Sequence, residues 1–118
     1  MVERKTYFID IDGTLLHHHQ DFTQSLETDE LLALPGAKKK TIQWHCEGSM
    51  LILTTARPES TRALTERQLQ LAGIIYDTLI MGIGSGERIL INDYSDPHKL
   101  KARAFNVNRN IDGLTGLS

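Results

Sequence analysis

The sequence has a single cysteine, Cys46, among its 118 residues, so it can form no internal disulfide, and a reducing cytoplasm is the expected compartment. It has no long apolar run. The stretch that follows Glu3-Arg4-Lys5 is cut at once by Asp10 and Asp12. That interruption excludes the continuous apolar core of a signal peptide, and nothing elsewhere is long enough to span a bilayer. Charge of neither sign dominates: a net charge of −2 and a pI near 6.2 give no electrostatic reason to expect nucleic acid or an anionic membrane as partner. There is no internal repeat and no low-complexity tract, His17-His18-His19 being a short bias only. The expectation is a soluble, intracellular protein.

What is present is ordinary globular composition, 40% hydrophobic and 24% charged. A chain of this length supports one core, so residues 1–118 read as a single domain, burying roughly two-thirds of the surface of the unfolded chain. Thr6 to Ile11 is a β-prone run that ends in acidic residues and Gly13, the pattern of a buried strand entering a loop. Residues Leu15 to Leu34 are poorly periodic. Leu34-Pro35-Gly36 signals a turn before a helix over Ala37 to Glu47, which Gly48 stops. Met50 to Leu53 predicts a second strand, ending at Thr54-Thr55. Pro58 predicts the start of a long helix that Gly73 terminates, with Glu59 matching the dipole of its first turn. Tyr76 to Met81 reads as a third strand and Arg88 to Ile91 as a fourth, closing on Asn92-Asp93. A short helix near Asp96 to Lys101 and a final strand, Ala102 to Val107, complete the reading.

Strands apolar on both faces that alternate with helices predict a mostly parallel sheet of about five strands, covered on each side. In such sheets ligands bind outside the carboxyl ends of the strands. Three of the predicted strands finish in Asp10 and Asp12, in Thr54 and Thr55, and in Asn92 and Asp93; side by side, these ends build a pocket rich in oxygen ligands. Phosphoryl transfer needs a nucleophile in line, a hard cation on the phosphate oxygens and donors for the equatorial oxygens. Asp10 suits the nucleophile, forming an aspartyl-phosphate that water then hydrolyses. Asp12, two residues on, suits the general acid and base. Gly13 lets the chain turn tightly and offer N–H groups to phosphate. Asp93 can complete an oxygen-only Mg²⁺ site, and Thr55 offers a hydroxyl beside a helix N-terminus.

Phe8-Ile9-Asp10-Ile11-Asp12-Gly13-Thr14-Leu15 resembles the first motif of the haloacid dehalogenase (HAD) superfamily. Leu51-Ile52-Leu53-Thr54-Thr55-Ala56-Arg57-Pro58 is similar to its second motif, and Ile89-Leu90-Ile91-Asn92-Asp93 to its fourth. The matches run in order over nearly the whole chain. The resemblance implies a three-layer Rossmann-like fold, with Asp10 as nucleophile and Asp12 as acid/base. It implies Mg²⁺ held by the Asp10 carboxylate, the Asp12 carbonyl and Asp93, with Thr55 at the phosphoryl group. An aspartate at position 12 favours a phosphatase over a dehalogenase. The family's third motif supplies a lysine or arginine, and residues 81–88 contain no lysine. Arg88 is the cation there, at the end of its strand away from the pocket unless the glycine-rich loop folds it back to the phosphate. Arg57, with Lys99, is a substitute nearer the expected site, Arg57 being expected at the phosphate. Asp96 stands as a second acid after Asn92-Asp93. The intervals that carry cap domains in many members hold only helix–strand units here, so the expected enzyme is capless. Its expected substrate is a small phosphorylated metabolite such as a sugar phosphate, with a homo-oligomer covering the site.

Blander readings stand beside these. The threonines can be plain strand residues, and Asp93 a turn residue. The histidine run is read as a solvated flap near the pocket mouth, in reach of substrate, rather than a zinc site. Trp44 and Cys46 are expected to pack, Lys38-Lys39-Lys40 to form a solvated helix face, and Glu59, Arg62, Glu66 and Arg67 to make surface ion pairs. Against the phosphatase stand a receiver-type domain that stores phosphate on an aspartate and a degenerate HAD fold that binds without catalysis. A phosphate-transferring mutase is disfavoured without a cap to exclude water.

Overall fold

The computed structural model describes residues 4–19, 25, 28 and 31–117. Its framework is three parallel strands in the order β1-β2-β3: β1 is Thr6–Asp10, β2 Met50–Thr54 and β3 Thr78–Ile80. Register runs from Thr6 opposite Met50 to Asp10 opposite Thr54, and from Ile52 opposite Thr78 to Thr54 opposite Ile80. All three strands therefore end on one level, with Asp10 and Thr54 side by side.

Alternation along the strands sends Ile9, Leu51, Leu53 and Leu79 into the core, with Tyr7 packed against it. Helix α1, Ala37–Cys46, covers this face through Trp44, whose ring stacks on Tyr7 at 4.0 Å between centroids. Gly36 precedes the helix with φ 77°, and Gly48, φ 86°, ends it; the Ser49 N–H then donates to the Trp44 carbonyl. Pro58 is extended and leads into a 3₁₀ turn, Glu59–Thr61, from which helix α2, Arg62–Leu71, continues; the predicted long helix is thus two pieces. Leu69 of α2 joins the same core. Cys46, expected to pack, is exposed: it lies in the last turn of α1, two residues beyond Trp44 and so on another side of the helix. Arg62 pairs with Glu59 and Glu66 at the surface, as expected.

The sheet differs from expectation in size. Among the described residues it has three strands, not about five, because Arg88–Ile91 and Ala102–Val107 are unpaired and Asp96–Lys101 is a turn, not a helix. Residues 81–87 are the only link from β3 to Arg88. Seven residues with glycines at 82, 84 and 86 fall short of the dozen or more that a parallel crossover takes. Ile89, Leu90 and Ile91 consequently lie exposed, Ile91 at 89%. Asp96 instead closes an Asx turn, its carboxylate accepting from the His98 N–H at 2.9 Å. The expected second covered face is also not seen: Phe8 and Ile80, on the side of the sheet opposite Tyr7 and Ile9, remain exposed.

The C-terminal part returns to the core. Leu114 is buried, and its N–H donates to the Pro35 carbonyl at 2.9 Å. Gly113, φ 53°, packs so closely on Pro35 that a Cβ there would run into the Pro35 carbonyl. No helix among the described residues is long and apolar enough to cross a membrane.

Candidate active site

Asp10 sits at the carboxyl end of β1, where the chain leaves the sheet. The next six residues form a tight loop around one acceptor: the Ile11 carbonyl takes N–H donors from Thr14, Leu15 and Leu16 at 3.2, 2.9 and 3.0 Å. Ile11, Leu15 and Leu16 are fully buried, so the loop is anchored from beneath by apolar side chains. Gly13 turns it at φ 90°, and its N–H donates to the Leu16 carbonyl at 2.7 Å. Its part at the site is therefore the turn, since its own N–H is engaged. The Thr14 hydroxyl donates to the Asp10 carboxylate at 3.3 Å.

Burial pushes the Asp10 carboxyl above the usual range, and the neighbouring Asp12 charge raises it further; the Arg88 guanidinium, the Thr14 hydroxyl and the Ile11 backbone act the other way. Two carboxylates two residues apart thus share one field, and Arg88, although exposed and hydrogen-bonded to the Gly86 carbonyl, bears electrostatically on Asp10. The glycine-rich link does not carry Arg88 into a fourth strand.

Asp12 is held by Arg57. Arg57 Nε and Nη2 donate to the two Asp12 oxygens at 3.0 and 2.8 Å, a bidentate fork. Nη1 donates to Thr65 Oγ1 at 3.0 Å and to Gln68 Oε1 at 2.6 Å, both on α2. Gln68 Nε2 in turn donates to the carbonyls of Ser25 and Thr28, each at 2.7 Å. The Arg57 side chain is wholly buried, at 0% exposure. Predicted as a phosphate ligand, it is instead found directed at Asp12 and α2. Thr55, also buried, accepts the Arg57 N–H at 3.1 Å on its hydroxyl oxygen, while Thr54 is the residue in register with Asp10.

The remaining expected residues lie apart. Asp93 is exposed on the unpaired segment, its carbonyl accepting from its neighbour Asn92 at 3.2 Å, and Lys99 is exposed beyond the Asp96 turn. Among the described residues, no three acidic, histidine or cysteine side chains gather as a metal site. The Asp10 carboxylate and the Asp12 backbone carbonyl are both oxygen donors on one loop, so two members of the expected Mg²⁺ set fit a hard cation, and Asp93 is not brought to them.

Sequence reasoning passed over two features. Thr65 and Gln68 read as ordinary helix positions, yet their three-residue spacing places both on the side of α2 facing Arg57. Residues 108–117 carry no predicted element, although two asparagines and two glycines, residues prone to positive φ, mark a built turn there.

No family model and no curated protein sequence matches the chain. Solved structures do. Two structures of the Pnkp1/Rnl/Hen1 RNA repair complex match at 26% and 28% identity with TM-scores of 0.59 and 0.58, over 73% and 72% of this chain. The match spans only 30% and 27% of those chains. The D,D-heptose 1,7-bisphosphate phosphatase of B. bronchiseptica, complexed with magnesium and phosphate, matches at 19% identity and TM-score 0.54, over 69% of this chain and 51% of that one. A protein of Vibrio cholerae matches at 18% identity and TM-score 0.53, over 82% and 83%. The fold is thereby of the HAD-like α/β type, built on a parallel sheet.

Proposed function

We propose that this chain is a Mg²⁺-dependent phosphomonoester hydrolase working through an aspartyl-phosphate on Asp10. The observation that carries the reading is the pairing of a half-buried Asp10 at the strand end with an Asp12 fixed two residues away by the Arg57 fork. The shared fold with a magnesium- and phosphate-bound phosphatase supports it.

In this reading a carboxylate oxygen of Asp10 attacks phosphorus while the bond to the leaving oxygen breaks, and Asp12 delivers a proton to that oxygen. Water then attacks the acyl phosphate; Asp12 takes its proton, and phosphate leaves with Asp10 restored. Arg57 is the positioning residue for Asp12. It holds the carboxylate in one orientation through its two parallel N–H donors. Thr54 and Thr55 at the end of β2, with Arg88 approaching Asp10, are the donors for the phosphoryl oxygens. Asp10 and the backbone of Asp12 would hold Mg²⁺, which neutralises phosphoryl charge, with Asp93 as the third ligand that the resemblance implies. The substrate proposed is a small phosphorylated metabolite of the sugar-phosphate kind, and a homo-oligomer covering the capless site belongs to the same reading.

The test is steady-state hydrolysis of an aryl phosphate and of a panel of sugar phosphates, with Mg²⁺, with EDTA and with Asp10→Asn in parallel. Turnover that disappears with EDTA and in the variant is expected. Its absence on every ester would instead favour a binding module, the second reading, to which the exposed position of Asp93 lends weight. A slow, stable phosphoprotein would favour a receiver.

A further inference from the structure

Three arginines meet the first-motif loop, and each meets it differently. Arg57 is buried on Asp12 and Arg88 acts on Asp10. Arg109, from the C-terminal segment, lies over Gly13: a Cβ built on that glycine would stand 2.9 Å from Arg109 Cγ and 3.6 Å from its Nε. Gly13 thus leaves room for the arginine stem. Arg109 is exposed, so its stem packs on Gly13 while the side chain stays open to solvent.

The placement is built by backbone on both sides. The N–H of Asn110 donates to the Gly13 carbonyl at 2.9 Å. The Asn110 side-chain amide then pairs with both backbone groups of His18, accepting from its N–H at 2.7 Å and donating to its carbonyl at 2.7 Å. Asn110 adopts φ 61°, a conformation asparagine tolerates better than most residues. Leu114, buried four residues on, anchors the segment to the core. An arginine whose only duty was to cover Gly13 would need no such clamp on the residue beside it.

We infer that Arg109 forms a subsite for a second anionic group on the substrate, so that the substrate class is a phosphomonoester carrying another phosphate or a carboxylate. The inference rests on the phosphatase reading for its orientation. Asp12 protonates the leaving oxygen, so the leaving group lies on the Asp12 side of the site, and Gly13, with Arg109 over it, is the next residue along. A single guanidinium on a stem seated over Gly13 matches one compact anion, which it can grip with two parallel N–H donors. A polynucleotide would call for a row of cations, and the net charge of −2 supplies no such field.

The experiment compares kcat/KM for three phosphomonoesters: an aryl phosphate with no second anion, a sugar bisphosphate and a carboxylate-bearing sugar phosphate. A 3′-phosphorylated oligonucleotide is a fourth arm. Arg109→Met keeps an apolar stem on Gly13 and removes the charge; Arg109→Lys keeps charge and loses the fork. The preference of the wild type for the doubly anionic esters over the aryl ester should fall about ten- to hundredfold in Arg109→Met, mostly through KM, and less in Arg109→Lys. The bisphosphate and carboxylate arms separate the two anion types. Equal losses on all esters would make Arg109 a structural residue and overturn the assignment, as would a preference for the oligonucleotide. Equilibrium binding of methylenebisphosphonate against inorganic phosphate needs no turnover. If the wild type hydrolyses nothing yet binds the bisphosphonate more tightly, and Arg109→Met abolishes that margin, the reaction fails and the subsite stands. Equal binding of the two anions overturns the subsite.

Discussion

At the scale of single residues, the carboxyl of Asp10 carries an energetic burden that follows from its position. Its affinity for a proton is higher in the fold than in the unfolded chain, through burial first and the Asp12 charge second. A group with a raised folded value favours folding while it is protonated, below its unfolded value, and that contribution is lost as pH rises through the folded value. At neutral pH the ionised Asp10 therefore opposes folding. Asp10→Asn should be more stable than the wild type at pH 7 in urea titrations, and the two should converge near pH 3, where the wild-type carboxyl is protonated in both states. A variant less stable at pH 7 would show that the Thr14 hydroxyl bond outweighs burial. Asp10, Asp12 and Gly13 were legible because an apolar strand ending in acids and glycine has few other uses. The place of Arg57 was not, because its four acceptor contacts come from residues 45, 8 and 11 positions away, a distribution that no local spacing announces.

At the scale of elements, α1 is held to the sheet chiefly by one side chain. Trp44 is buried and stacked on Tyr7, with its ring 9° from parallel. Trp44→Ala should destabilise by about 3–5 kcal/mol, measured by urea denaturation, with the loss reduced if Tyr7 swings into the space. Helix α1 and strands β1 and β2 were readable because their apolar spacing and their Gly stops agree. The expected strands at 88–91 and 102–107 failed for a different reason. Ile89-Leu90-Ile91 has the composition of a buried strand, yet β-propensity reports how well a residue packs against neighbours, and the short glycine-rich link offers it none. Composition names a candidate strand; the connection decides whether the sheet can receive it.

At the scale of the whole molecule, the radius of gyration is 14.7 Å, against about 13.5 Å for a compact chain of this length. The long axis, 47 Å, is consistent with a body from which the unpaired segment extends. Exposed backbone without ladder partners is where a protease cuts first. Brief trypsin treatment should therefore cleave at Arg88, Lys99, Lys101 or Arg103 before any site in α1 or α2, read by mass spectrometry. Protection of these bonds that fades on dilution would show a second copy covering the segment, together with the exposed Phe8 and Ile80.

The Asn110 amide clamp on His18 joins positions 92 residues apart in sequence. Bringing such distant points together is entropically slow, so this contact forms late, after the local turns and the strand pairs. On the ribosome, β1 and its acidic loop emerge long before residue 110 does. The nascent chain therefore carries Asp10 and Asp12 before Arg109 and the Asn110 clamp are made, and a later-made segment is laid over an earlier one.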